Sequence, residues 1–318
     1  MPWRETPEQL ARARAEVPVT IVTPLGTLFG IYTPADPTAV AAGRCAVLFT
    51  RPRSHRNRMW VEGARRLSLQ GFSAFRFDYH GCGDSEGESH FNDPNTPNQA
   101  DGIAVLVHLN EHFGEQRFLV AGACFDARTA LSMFAGAGDV VDGMVFYAAP
   151  VMELETLVKA HADHKDWRHM ARALGNAENW KQLGDPARWR YMATVLGRVA
   201  RRSMPATAAS TEPANDTPLA DSFVSHFRAL VASKSRALFI YGEADVELIS
   251  FRVALDTVFQ RLSPEERSRI EFELWPGDVH GFLNLPMQRR SLERAMDWFQ
   301  QFHSAATAAT VGSNGRKG

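Results

Sequence analysis

The hydrophobic positions along the chain switch repeatedly between a strand-like and a helix-like spacing. Apolar and polar side chains alternate over residues 17–34, around Pro24 and Gly26, which predicts a β-hairpin. Beyond the hairpin, short continuous apolar runs alternate with amphipathic stretches of helical period. The predicted strands are 45–50, 72–79, 117–122, 142–150, 236–245 and 269–277. The predicted helices are 59–69, 100–113, one beginning near Ala127, 248–261 and 287–302.

This alternation of strands and helices predicts an α/β fold, with a mostly parallel sheet covered by helices on both faces. One long insertion interrupts the pattern without a clear strand, and it ends in a Ser/Thr/Ala/Pro-rich stretch. Because the insertion lies between two predicted sheet strands, we interpret it as a lid over the carboxyl edge of the sheet. The predicted parts are a core (17–150 and 236–303), a helical lid insertion (151–235) and a disordered tail (304–318).

Composition narrows the classes of function. Lys and Arg total 35 against 36 Asp and Glu, so the chain lacks the positive excess that nucleic-acid binding needs. No apolar run approaches the roughly 18 to 20 residues of a membrane-spanning helix. The chain has only three cysteines, Cys45, Cys82 and Cys124. This is an odd number, and their spacing is not that of metal ligands. We therefore expect a cytoplasmic protein in a reducing compartment, with no metal site and no cofactor.

The most informative segment joins the strand at 117–122 directly to a helix through Gly122-Ala123-Cys124-Phe125-Asp126. It resembles the nucleophile elbow of the α/β-hydrolase family, G-x-S-x-G, with Cys124 at the nucleophile position and Asp126 replacing the second glycine. In such a turn the helix N-terminus and a nearby histidine lower the pKa of the thiol. The N–H of Phe125 would form half of an oxyanion hole. The alternative is a buried thiol at a tight turn.

Three further matches follow the order of that family. Asp245 lies at the end of a later predicted strand, and His280 lies in the loop after the last one. The sequence RFDYHGCGDSEG (76–87) resembles the turn that precedes the elbow in many members. The resemblance implies the α/β-hydrolase fold and a triad in which Cys124 attacks an acyl carbonyl and His280 moves the proton. Asp245 would hold the imidazole and stabilise its charged form.

The second oxyanion donor is harder to assign. The usual His-Gly after the third strand is replaced by Thr50-Arg51-Pro52-Arg53, and proline has no N–H. We expect the backbone N–H of Arg51 to be the donor, with Arg53 as the alternative.

Basic and aromatic side chains suggest where a substrate could bind. Arg53 and Arg56 belong to an arginine-rich loop next to the predicted site, and Trp167 and Trp189 belong to the predicted lid. Guanidinium groups bind phosphate well, so these residues are candidates for contacts with a carrier protein or a phosphopantetheine arm. The alternative is a solvated loop and helix.

A cysteine nucleophile favours particular acyl chemistry. The chain resembles the cysteine branch of the family: dienelactone hydrolases, exosortase-associated hydrolases and biosynthetic thioesterase-like or acyltransferase-like members. An acyl-cysteine is itself a thioester, so exchange with a carrier thiol is nearly isoenergetic. We therefore expect an acyltransferase or thioesterase that acts on acyl or aminoacyl thioesters of a carrier protein or pantetheine. The alternatives are a simple ester or lactone hydrolase and a non-catalytic binding protein.

Overall fold

The computed structural model describes residues 16–88, 98–152 and 219–314. The chain divides into two compact units, one formed by Met1–Val151 with Leu219–Gly318 and the other by Met152–Pro218. The described residues belong almost entirely to the first unit. Most of the predicted lid, including Trp167 and Trp189, lies outside the described residues.

The first unit is built on one eight-stranded sheet. Its strands are β1 (Val17–Thr23), β2 (Gly26–Thr33), β3 (Cys45–Phe49), β4 (Ser73–Asp78), β5 (Phe118–Ala123), β6 (Val141–Tyr147), β7 (Arg236–Gly242) and β8 (Ile270–Trp275). Their order in the sheet is β1-β2-β4-β3-β5-β6-β7-β8. The pairs β1–β2 and β2–β4 are antiparallel, and all the others are parallel. The predicted hairpin and the mostly parallel sheet are therefore confirmed.

Helices cover both faces of this sheet, as predicted. They are α1 (Met59–Leu69), α2 (Gln99–Phe113), α3 (Phe125–Ser132), α4 (Phe134–Ala137), α5 (Asp221–Ala232), α6 (Glu247–Thr257), α7 (Pro264–Arg267) and α8 (Leu285–Asn314). Two hydrophobic cores result. One packs α2, α3, α5 and α6 on one face, and the other packs α1 and α8 on the opposite face. In the part of the chain that the structure describes, no helix is both long and apolar enough to cross a membrane.

The central strands show why the continuous apolar runs predict buried strands. All five residues of β3 and all six of β5 are buried, because helices pack on both sides of them. At the sheet edge, β8 is buried only at Trp275. Strand β5 lies between β3 and β6, so its carboxyl end opens near the middle of the sheet. Open α/β sheets bind ligands at such a position.

Two predicted boundaries differ from the structure. The sequence analysis assigns residues 219–235 to the lid, yet Phe223, Phe227 and Leu230 of α5 are fully buried in the core, so this segment belongs to the first unit. Their helical spacing indicates a buried face but not the partner of that face. Helix α8 also continues to Asn314, into the residues that the sequence analysis assigns to a disordered tail, and the disorder of that tail stays a prediction.

Stability at acidic pH is expected to depend on His55, in the loop after β3. Its half-buried ring lies 5.5 Å from that of Phe282, and burial, followed by the charge of Arg56, lowers its pKa to about 4. In the unfolded chain the pKa of a histidine is about 6.5, so protonation favours unfolding as the pH falls from about 6.5 towards 4. Acidification should therefore lower the free energy of unfolding, and His55→Gln should make this decrease smaller by on the order of 2 kcal/mol.

Urea unfolding at several pH values would measure this effect, with His112→Gln as a control because His112 is exposed on α2. An unchanged pH slope in His55→Gln would contradict the prediction.

Candidate active site

The predicted elbow is present where β5 passes into α3. Cys124 precedes the first helical residue and has a positive φ of 53°, with ψ −126°. Its N–H donates a hydrogen bond of 2.8 Å to the carbonyl of Tyr147 at the end of β6. A Cβ on Gly122 would lie 2.9 Å from the backbone nitrogen of Ala127, so glycine allows α3 to begin this close to the strand. The strained turn presents the Cys124 side chain at the carboxyl edge of the sheet.

Phe125 is the first residue of α3. Backbone N–H groups in the first turn of a helix have no partner within the helix, and they lie at the positive end of its dipole. This is the environment that an oxyanion donor needs, and the oxyanion role of Phe125 stays a prediction.

His280 reaches the elbow from a short 3-10 turn, His280–Phe282, after β8. Its Nε2 lies 3.9 Å from the Sγ of Cys124, although the two residues are 156 positions apart. The turn is anchored by Phe282, which is fully buried and packs on the rings of Trp60 and Tyr147. The structure thus brings together the predicted nucleophile and the predicted proton acceptor.

The carboxylate beside the imidazole comes from Glu247, which the sequence reasoning missed. Its Oε1 lies 2.9 Å from the Nδ1 of His280, and its side chain is only 1% exposed. Glu247 opens α6, two residues after Asp245. The segment after β7 carries acidic residues at 243, 245 and 247. The sequence therefore signals a carboxylate here but does not indicate which one reaches His280.

Asp245 has a different place from the one predicted. One of its carboxylate oxygens accepts hydrogen bonds from the N–H groups of Val279 and His280, at 2.8 and 2.9 Å, and the other accepts from Gly242 at 2.6 Å. Buried backbone donors need acceptors, and this carboxylate provides them where β7 ends and the His280 turn begins. Asp245 holds the backbone of His280 instead of its ring. Burial and a hydrogen bond with Asp278 raise the pKa of Asp245 to about 7.

The protonation of the Cys124–His280 pair differs from the sequence expectation. Burial raises the pKa of Cys124, and His280 opposes this effect without cancelling it. The pKa shift of the thiol is therefore opposite in direction to the one expected from the helix N-terminus and the histidine, and Asp126 contributes to it. The contact with Cys124 and then the one with the Glu247 carboxylate raise the pKa of His280 above that of a free histidine. The site stabilises a protonated imidazole, which is the form a proton acceptor must reach during thiol attack.

Arg51 does not supply an oxyanion donor in this structure. Its Nε donates a 2.6 Å hydrogen bond to Asp126, and its backbone N–H also hydrogen-bonds that carboxyl group. The pairing explains how Asp126 can replace the second elbow glycine, because the buried carboxylate is balanced by a guanidinium.

Arg53, the alternative donor, is also occupied. Its N–H donates to Asp78 at 2.7 Å, and its guanidinium contacts Asp78 and Asp84 and lies over the ring of Phe29. Arg53 thus braces the turn at residues 78–85 instead of facing a substrate. Arg56 is exposed, and its substrate-binding role stays a prediction, as do those of Trp167 and Trp189.

The Arg51–Asp126 pair is expected to contribute strongly to stability. Arg51→Ala should destabilise the fold by about 3–5 kcal/mol, because Asp126 then keeps a buried charge without this partner. Adding Asp126→Ala should recover part of that loss. A double-mutant cycle by urea unfolding measures the coupling, with exposed Arg56→Ala as a control expected within about 0.5 kcal/mol of wild type. Additive single effects would contradict the prediction.

The proteins that this chain resembles were found by comparison of structures. No family model matches the chain, and no curated protein matches it. The esterase Pf2001 from Pyrococcus furiosus is 14% identical, with a TM-score of 0.57 over 95% of each chain. Proline iminopeptidase from Mycobacterium smegmatis is 13% identical, with a TM-score of 0.55 over 91% of this chain and 100% of that one.

A third structure, an alpha-beta serine hydrolase homologue from Coxiella burnetii, is 16% identical, with a TM-score of 0.51 over 88% of this chain and 96% of that one. At such identities the likeness concerns the fold. Together with the strand order and the elbow, it shows that this chain has the α/β-hydrolase fold, as its sequence motifs predict.

Proposed function

We propose that this protein is an acyl-transfer enzyme that forms an acyl-cysteine intermediate on Cys124. One observation carries the proposal: a cysteine, a histidine and a buried carboxylate from three distant segments meet at the carboxyl end of β5. The Sγ–Nε2 distance is 3.9 Å and the Nδ1–Oε1 distance is 2.9 Å. A nucleophile, a base and a group that orients the base form the minimum set for such chemistry.

In the first half-reaction, His280 Nε2 accepts the proton of the Cys124 thiol as the sulfur attacks the acyl carbonyl carbon. The N–H of Phe125 stabilises the negative oxygen of the tetrahedral intermediate. When the intermediate collapses, the bond to the leaving group breaks and that group takes the proton from His280. The Sγ–Nε2 separation is longer than a strong hydrogen bond, and such contacts commonly tighten once substrate is bound.

In the second half-reaction, an acceptor loses a proton to His280 and attacks the acyl carbonyl carbon. The carbon–sulfur bond then breaks, and the Cys124 sulfur takes the proton back from His280. Glu247 stabilises the imidazolium that forms in both halves. Asp245 acts as a positioning residue, because it fixes the backbone that carries His280. These roles assign the acid of the predicted triad to Glu247.

Thioesters of a carrier protein or pantetheine are the proposed substrates. Transfer of the acyl group from Cys124 to a carrier thiol replaces one thioester with another, so it is nearly isoenergetic. Where solvent is excluded, thiols also attack thioesters more readily than water does. Arg56 remains available for a phosphate contact, whereas Arg53 is held by Asp78 and Asp84. All three cysteines are free, which supports the proposed cytoplasmic location.

Ester or lactone hydrolysis is the second candidate function. It is favoured by the structural likeness to an esterase, and it needs only water as the acceptor. The binding-protein alternative is disfavoured by the Cys124–His280–Glu247 arrangement.

Intact-protein mass spectrometry with a panel of acyl-pantetheine and acyl-carrier thioesters, and with activated esters, tests the proposal. The expected result is one acyl increment per chain, which peptide mapping assigns to Cys124. Decay in water alone would indicate a hydrolase or thioesterase, and decay only with a thiol or amine acceptor would indicate a transferase. No adduct and no turnover on any member of the panel would reject acyl transfer and favour a binding protein.

A further inference from the structure

The site also contains the elements of a metal site. One ligand atom each from Cys124, Glu247 and His280 can be chosen so that all three lie within 4.8 Å of one another. A thiolate sulfur, an imidazole nitrogen and a carboxylate oxygen are three donor types that Zn²⁺ accepts. Ligand atoms around a tetrahedral zinc ion are about 3.5 Å apart, so only small side-chain movements separate this cluster from a coordination sphere.

We propose that Cys124, His280 and Glu247 bind one thiophilic divalent cation, Zn²⁺, and that the bound ion blocks the nucleophile. Two features of the site favour a cation. Glu247 is 1% exposed, and a carboxylate buried to this degree needs a positive partner, which a bound cation would supply once His280 coordinates as a neutral imidazole. Asp126, the other carboxylate beside the elbow, is already paired with Arg51, so it does not compete for the ion.

Access to the site fits a reversible ligand. The His280 side chain is 39% exposed, so an ion can reach the ring from solvent, and a water molecule would complete a four-coordinate zinc. Asp245 fixes the backbone of His280 and acts from outside the ligand set, as supporting residues of metal sites do. Metal binding would replace the thiol proton with a sulfur–zinc bond and the proton on the coordinating imidazole nitrogen with a nitrogen–zinc bond, and both protons would be released to solvent. The same sulfur lone pair attacks the acyl group, so metal binding and acylation exclude each other.

The test uses the full chain after removal of metal with a chelator. Competition with a chromophoric chelator should show one equivalent of Zn²⁺ bound, and Co²⁺ should give a thiolate-to-metal charge-transfer band. Cys124→Ser and Glu247→Gln should each weaken Zn²⁺ binding by more than the about 10- to 100-fold typical of losing a supporting residue, and Cys124→Ser should abolish the Co²⁺ band. Circular dichroism would establish that both variants are folded.

Matched controls are Cys82→Ser, a buried thiol that is not one of the three cluster residues, and Glu243→Gln, an exposed carboxylate after β7. Both should bind Zn²⁺ as the wild type does. Unchanged affinity in Cys124→Ser, or a Co²⁺ spectrum without a thiolate band, would overturn the proposal. Because binding is read without turnover, zinc binding without an acyl adduct would reject only the proposed function, and an adduct without zinc binding would reject only this inference.

Discussion

Replacing Cys124 by alanine is expected to abolish acyl-adduct formation and to lower kcat/KM by at least about 10⁴-fold on any substrate found in the thioester and ester panel. The variant keeps the oxyanion donor at Phe125 and the imidazole, but it has no atom that can form the acyl intermediate. Alanine also fits the half-buried position without a large cavity, so the free energy of unfolding should change little. Steady-state kinetics and urea unfolding on the same preparation measure both quantities.

Cys82→Ala is the matched control, because Cys82 is a buried thiol in the turn after β4. Its kinetics should equal those of the wild type. Residual turnover of Cys124→Ala above one tenth of the wild-type rate would mean that catalysis does not pass through this sulfur.

Glu247→Gln is expected to lower kcat by about 10³- to 10⁴-fold with little change in KM, as loss of the carboxylate does in other triads. Glutamine keeps the shape of the side chain and removes its charge, so the imidazolium formed in both half-reactions loses its stabilising partner. The loss should appear in kcat and not in KM, because the imidazolium charge develops during the reaction and not on substrate binding. Measuring kcat and KM separately distinguishes this result from a binding defect.

Asp245→Asn provides the decisive comparison. Its oxygen can still accept from Val279 and His280, but its amide group would face the N–H of Gly242, so one buried hydrogen bond becomes a donor–donor contact. We expect a loss of about 1–3 kcal/mol in the free energy of unfolding and a smaller rate loss than in Glu247→Gln. The reverse ranking of the two rates would restore Asp245 as the acid of the triad. Exposed Glu243→Gln should change neither quantity.

Much of the fold could be predicted from local pattern. Helix α1 occupies the predicted residues, and the hairpin and the central strands agree with the predicted ones to within a few residues. Periodicity works here because burial on one face, or on both, dictates which positions must be apolar. It fails for α5, because an apolar helical face shows that the helix is buried but not whether it packs on the core or in an insertion.

The sequence by itself determined the α/β alternation, the elbow at Cys124 and the later position of His280. The alternation follows from the spacing of apolar residues, and the other two follow from short motifs. Only the tertiary structure decided which carboxylate meets the imidazole. Asp245 and Glu247 are two residues apart, and the turn from β7 into α6 directs one to backbone amides and the other to the His280 ring. The tertiary structure likewise pairs Arg51 with Asp126. It also buries Cys124 enough to raise the pKa of its thiol. These properties depend on distances between segments far apart in the chain, and local pattern does not encode such distances.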